Sequence, residues 1–349
     1  MSTPPTDDKP EKLFTFASAG WVLLLAGFFT LVAAAIVLYP VYETGFHRSV
    51  GDGHDPKSYG FDLSNLTIDP QTLVGSGFPK DGIHAIVPSL VETATPAEVE
   101  LIHQNEHLNF LIPTDLVIGL EFDGQTRAYP IRVLNQHEII NDVLGNTPVA
   151  VTWSPLSNSA VVFDRLIDGP TTPAIEFGVS GLLIDSTTVL FDRRPGGVGE
   201  SLWPQLALKA VAGPRVNHPL PLLPFTLTTW KSWTAAHADT RAVLGLRTLK
   251  TQYTYEPYST YLSTDDLKFP VHPLWPHPRP PLKTPIRVTG TLATGWEAQM
   301  EKPGAEAATS SAPATSPSTF TIHTFLFAWY ALHTNDTDYS AIEKQAGGK

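Results

Sequence analysis

Residues 127–165 read RAYPIRVLNQHEIINDVLGNTPVAVTWSPLSNSAVVFDR, an alternation of apolar runs with densely placed polar side chains. Ile139-Ile140 and the run from Pro148 to Trp153 are separated by Leu144-Gly145-Asn146-Thr147, a reversal signal that predicts two paired strands. Counting back from Gly145-Asn146, Ile139 to Val143 should oppose Pro148 to Thr152, leaving His137 near Ser154. A strand beginning at His137 would put His137, Ile139 and Asn141 on one face, with Glu138, Ile140 and Asp142 on the other. A helical segment would instead gather Leu134, His137, Glu138 and Asn141. The strand is the preferred reading.

Working outward, Leu116 to Phe122 and Thr126 to Ile131 flank Asp123-Gly124, a two-residue hairpin signal. Ser159 to Ile167, Ala174 to Val179 and Thr187 to Asp192 are further β-rich runs, interrupted by Asp168-Gly169-Pro170 and Gly181. Three helices are predicted: one from Pro96 after Thr95 as cap, running towards His103 and His107, one over Ser201 to Val211, and one over Thr228 to His237. Seven prolines in residues 270–285 favour an extended crossing over regular structure. The predicted fold is mainly β (α+β), a packed β-sandwich or distorted barrel with a few short helices, preceded by one transmembrane helix.

Composition narrows the function classes. The chain has 349 residues, 42% hydrophobic and 16% charged, which is globular with a membrane contribution. A net charge of −11, with no cluster of Lys and Arg, argues against a nucleic-acid partner. With no cysteine, disulfide frameworks and cysteine-based zinc sites are ruled out. Residues 1–12 read as a disordered tail. Residues 13–42 contain no Asp, Glu, Lys or Arg and exceed the ~20 apolar residues that cross a bilayer as a helix. The expected partner of that segment is the lipid bilayer, as a single-pass anchor. Lys9 and Lys12 before it and Arg48 and Lys57 after it give little asymmetry, and a large domain behind one anchor is most simply exported. Residues 43–100 read as a connecting and wrapping segment. Residues 101–335 read as one domain with a flexible insertion at 301–319, followed by a tail at 336–349.

A set of segments carries a resemblance: RAYP at 127–130, HEIIND at 137–142, PVAVTWSPLSNSAVVFDR at 148–165, FGVSGLL at 177–183, VLFDRR at 189–194, ESLWPQL at 200–206, TTWKSW at 228–233, EPYSTY at 256–261 and FAWYALH at 327–333. In this order the chain resembles the bacterial family called domain of unknown function 3179. The resemblance implies a fold and a set of positions, and leaves reaction and cofactor open. It also implies a departure: family members typically carry Cys-Pro-Leu-Cys where this chain has Ser154-Pro155-Leu156-Ser157. Serine supplies neither the thiolate nucleophile nor the soft ligand that a cysteine pair could.

Three functional readings compete. An enzyme would use His137 as acid-base, oriented by Glu138 or Asp142, with Arg127 or Asn141 holding substrate and Ser154 or Ser157 as nucleophile or donor. Pro155 and Leu156 between the serines exclude the Gly-x-Ser-x-Gly elbow. A metal site would enlist His137 with Glu138 or Asp142 and a distant His218, His237 or His333, but Asn141 stands where an H-E-x-x-H helix needs its second histidine, so no metal site is assigned. A non-thiol binding or scaffold module is the preferred reading. Convergence of polar side chains in one concave site would favour chemistry; dispersed and paired ones would favour a scaffold.

Overall fold

The computed structural model describes residues 25–32, 50–301 and 319–346. The chain divides into two units, Met1–Ser49 and Val50–Lys349. In the first, residues 25–32 form α1, whose Leu25, Phe28, Phe29, Leu31 and Val32 are exposed. Among the described residues no helix is long and apolar enough to cross a membrane. The remainder of the expected anchor at 13–42, the tail at 1–12 and most of the expected insertion at 301–319 lie outside the described residues.

The second unit is mainly β, with three sheets and a few short helices. Its strands are β1 (Leu73–Gly75), β2 (Thr93–Ala94), β3 (Leu116–Phe122), β4 (Gln125–Pro130), β5 (Ile139–Leu144), β6 (Thr147–Ser154), β7 (Ser159–Asp164), β8 (Phe177–Ile184), β9 (Thr187–Asp192), β10 (Leu202–Pro204), β11 (Thr226–Thr229), β12 (Arg241–Val243), β13 (Pro285–Thr291), β14 (Gly295–Met300), β15 (Phe320–Phe325) and β16 (Thr337–Asp338). The helices are α2 (Pro96–Glu106), α3 (Ile131–His137), α4 (Trp230–Ala236), α5 (Ser259–Leu262), α6 (Leu326–Leu332) and α7 (Ser340–Ala346).

A seven-stranded sheet, β16-β14-β13-β15-β7-β6-β5, lies between a four-stranded sheet, β1-β8-β9-β10, and a five-stranded one, β11-β3-β4-β12-β2. Ile139, Ala150, Val161, Ile286 and Ile322 on one face of the central sheet pack in a cluster with Phe177, Leu190 and Trp203 of the four-stranded sheet. From the opposite face, Ile140, Val149, Val151, Trp153 and Val162 join Val117, Ile118, Tyr129 and Ala242 of the five-stranded sheet. On the far face of the four-stranded sheet, Leu73, Leu182, Ile184 and Phe191 pack in a cluster with Tyr59 and Phe61. This layering explains why β6 to β9 read as near-continuous apolar runs: strands covered on both faces have no solvent side to alternate with.

The hairpin of residues 139–152 forms in the expected register, with Ile139 opposite Thr152 and Val143 opposite Pro148. Gly145 supplies the left-handed φ of +63° that the tight reversal needs. The β3–β4 hairpin closes at Asp123-Gly124, and Thr95 caps α2 in a reciprocal box with Glu98. Thr229 caps α4, accepting from Ser232 N–H.

Two local expectations fail. His137 ends α3 and does not begin β5, because Glu138 takes φ +56° and turns helix into strand within one residue. Residues 201–211 contain β10 and a 3-10 turn at Gln205–Ala207 where a helix is expected. There Leu202 and Trp203 pack into different clusters on opposite sides of the four-stranded sheet, a period of two and not of 3.6.

Candidate functional site

Helix α3 follows Pro130 directly, and its seven residues sort by helical spacing into two faces. Val133, Leu134 and His137 are buried. The His137 ring meets His84 O from Nδ1 at 2.6 Å and Tyr253 Oη from Nε2 at 2.7 Å. Tyr253 Oη accepts from Leu246 N–H at 2.8 Å, so its own proton points to Nε2 and the Nδ1 proton goes to the His84 carbonyl. Both ring nitrogens are engaged, and burial lowers the pKa of His137, which holds the imidazole neutral.

The other polar residues of the sequence stretch are likewise spoken for. Asn141, fully buried, donates from Nδ2 to Phe177 O at 2.9 Å and Ile86 O at 3.2 Å and accepts from Phe177 N–H at 2.9 Å, pinning the central sheet to β8. Asp142 pairs with Arg127 and accepts from Tyr129 Oη at 2.8 Å. Ser154 Oγ accepts from Thr188 N–H at 3.1 Å. Ser157 Oγ meets Ser159 Oγ at 2.8 Å, and Ser159 in turn donates to the Gln205 amide oxygen. Both Ser154 and Ser157 are fully buried. No hydrogen bond joins His137 to either serine: His137 lies on α3, ahead of the β5–β6 register, whose first pair is Ile139 and Thr152.

Glu138 differs from these. Its carboxylate is buried, accepts from Thr188 Oγ1 at 2.9 Å, and among the described residues forms no ion pair. Desolvation pushes its pKa up to about 7, with the Thr188 bond opposing. Tyr258 is near enough to feel its charge: burial first, and Glu138 second, raise the Tyr258 phenol.

Tyr258 lines a cleft of about 210 Å³ that draws several side chains from the 127–165 stretch. Its polar walls come from the loop before β3 (Asp115), from α3 (Arg132 and Asn135), from the turn after β6 (Asn158) and from the segment entering α5 (Glu256 and Tyr258). Ile131, Arg132 and Asn135 stand three and four residues apart, on the cleft side of the helix whose opposite side holds His137. Asp115 is paired with Arg132, Nη2 to Oδ1 at 2.9 Å, with Nε 2.7 Å from Oδ2 but off hydrogen-bond angle. Trp153 Nε1 donates to Asn135 Oδ1 at 2.9 Å, and Asn135 Nδ2 donates to Glu256 Oε2 at 3.2 Å. Burial raises the Glu256 carboxyl, with Arg132 pulling it down and Asp115 pushing it up.

The stretch singled out in the sequence contributes to the cleft through other side chains than the candidates named there. Arg132, Asn135, Trp153, Pro155 and Asn158 of the stretch line the cleft, while His137, Asn141, Asp142, Arg127, Ser154 and Ser157 are absent from its lining. The signal for Glu256 and Tyr258 was the EPYSTY segment; nothing marked Asp115. His218, His237 and His333 are apart from one another, against Ile167 O, the Trp233 ring and Asp336 respectively. Among the described residues no three His, Asp or Glu side chains gather as metal ligands.

A family model described as "Protein of unknown function (DUF3179)" matches residues 80–302, which spans the cleft. No curated protein and no solved structure matches the chain.

Proposed function

Starting from a chain that belongs to the DUF3179 family, we propose that its domain is a binding module which takes a small ligand in the cleft between α3 and the Glu256–Leu262 segment. The observation that carries this is convergence: polar and aromatic side chains from separate parts of the chain line one concave site, while the serines and His137 are committed to the fold. A hydrolase would need a free nucleophile beside a base, and Ser154 and Ser157 offer buried hydroxyls engaged with neighbours. The sandwich reading of the stacked sheets and an extracytoplasmic location behind an anchor at 13–42 belong to the same proposal, the latter supported by the charge-free run alone.

One observation favours a second reading, general acid-base catalysis: Glu138 has a carboxyl poised near neutrality behind Tyr258. Its lack of a place in the cleft wall ranks this reading below binding.

Mass spectrometry of small molecules retained by the purified full chain tests the proposal. Tyr258→Ala should lose the retained species while the thermal midpoint moves by only a few degrees; equal retention would overturn the assignment of the cleft. For the anchor, the chain should stay with membranes through a carbonate wash and keep its N-terminus at Met1 or Ser2. A mature N-terminus near Ala35 would mean a cleaved signal instead.

A further inference from the structure

The charged groups of the cleft do not cancel. Arg132 is the one cation among its lining side chains, against Asp115 and Glu256. The guanidinium is committed to Asp115, whose Oδ2 also accepts from Ile112 N–H at 2.8 Å. Glu256 makes only a looser ion pair with the same guanidinium, so the cleft keeps one negative charge in excess. Glu256 lies 3.9 Å from Arg132 Nε, beyond hydrogen-bond reach, and its side chain is 51% exposed. Among the described residues its hydrogen-bond donor is Asn135 Nδ2, and Asn135 is itself oriented by the Trp153 indole N–H. This relay from Trp153 through Asn135 holds the spare carboxylate in a fixed place.

Around the carboxylate the walls are apolar and aromatic. Ile131, Trp153, Pro155 and Tyr258 line the cleft, and Leu116 and Leu262, which also line it, are 39% and 42% exposed. Exposed large aliphatic side chains at the mouth of a cleft lower their free energy when an apolar body covers them. A cation beside aromatic faces gains from their electron density as well as from the carboxylate.

We infer that the occupant of this cleft is a small organic cation, a protonated amine or guanidinium carried on a compact apolar body. The inference rests on the binding reading above and adds the chemical class of the ligand. An anion would have to enter beside Glu256 with the guanidinium already neutralised, and a neutral ligand would leave the carboxylate partly desolvated without a counter-charge. The raised pKa of Glu256 agrees, since an arriving cation favours the ionised form that burial disfavours.

The test uses three probes of one shape, benzylamine, benzyl alcohol and benzoate, titrated calorimetrically into the full chain. Benzylamine should bind tightest, and Glu256→Gln should weaken it about tenfold or more, the loss of one charge-assisted contact, while changing benzyl alcohol by less than about threefold. A second measurement needs no variant: raising salt from about 50 to about 500 mM should weaken benzylamine binding to the unaltered chain several-fold and leave benzyl alcohol unchanged. Benzoate binding best, or benzylamine indifferent to both Glu256→Gln and salt, would overturn the cationic assignment and leave the cleft as a binding site. Failure of all three probes to bind, together with equal ligand retention by Tyr258→Ala, would overturn the cleft reading itself.

Discussion

On α3, Val133, Leu134 and His137 face the interior and Arg132 and Asn135 face the cleft, so polar side chains five residues apart meet opposite conditions. His137 has a partner on each ring nitrogen, both supplied by distant backbone or side chain, and nothing left to offer a ligand. Asn135 also uses both ends of its amide, yet one of them steers a carboxylate that is half exposed. Burial and polarity are common to both residues. What separates them is where the hydrogen-bond chain ends: at a structural carbonyl for His137, and at an accessible charge for Asn135.

Three measurements can break or sharpen this contrast. The largest effect is expected from His137→Ala, which leaves His84 O and the Tyr253 hydroxyl proton without their partner and opens a cavity; the cost should be about 3–4 kcal/mol in chemical denaturation. A loss under about 1 kcal/mol would return His137 to the list of functional groups. Next comes Glu138. Its folded pKa of about 7 lies above its unfolded value, so between pH ~4.5 and ~7 the folded state holds a proton that the unfolded state has released. Stability should therefore fall as pH rises through that window, by roughly 3 kcal/mol in all, and level off above it. Glu138→Gln should flatten this slope; an unchanged slope would assign the titration to another group. The smallest effect belongs to Glu256→Gln, which should shift stability by no more than about 0.5 kcal/mol because the side chain is half exposed. A loss above 2 kcal/mol would make Glu256 structural and erase the contrast.

How far the sequence could be read follows the range of the interactions involved. The hairpin at Gly145-Asn146, the Asp123-Gly124 turn and the cap at Thr95 are decided within a few residues, and each forms as expected. The mainly β class was legible in the apolar runs. The helix-to-strand switch at His137 was not, because it depends on Glu138 adopting a left-handed backbone that its residue type does not favour. The cleft was legible only as a region. Its defining pair, Asn135 and Glu256, is 121 residues apart in sequence, and no local spacing encodes that contact. The polar residues that stood out, His137, Asn141, Ser154 and Ser157, did so because strands buried on both faces need internal partners for every polar group.

The strand order of the central sheet carries a consequence for synthesis. β15, formed by Phe320–Phe325, lies between β13 and β7, so a strand synthesised after both neighbours has to join a hairpin just before it to a block made some 160 residues earlier. Until it arrives, the β5–β6–β7 block and the β13–β14 hairpin each present an open edge to solvent, the surface on which strands of other chains can pair. The family match ends at residue 302, before this strand begins. A fragment cut at that boundary would hold the cleft residues yet lack the strand that joins β13 to β7, so the limit of sequence likeness falls inside the central sheet.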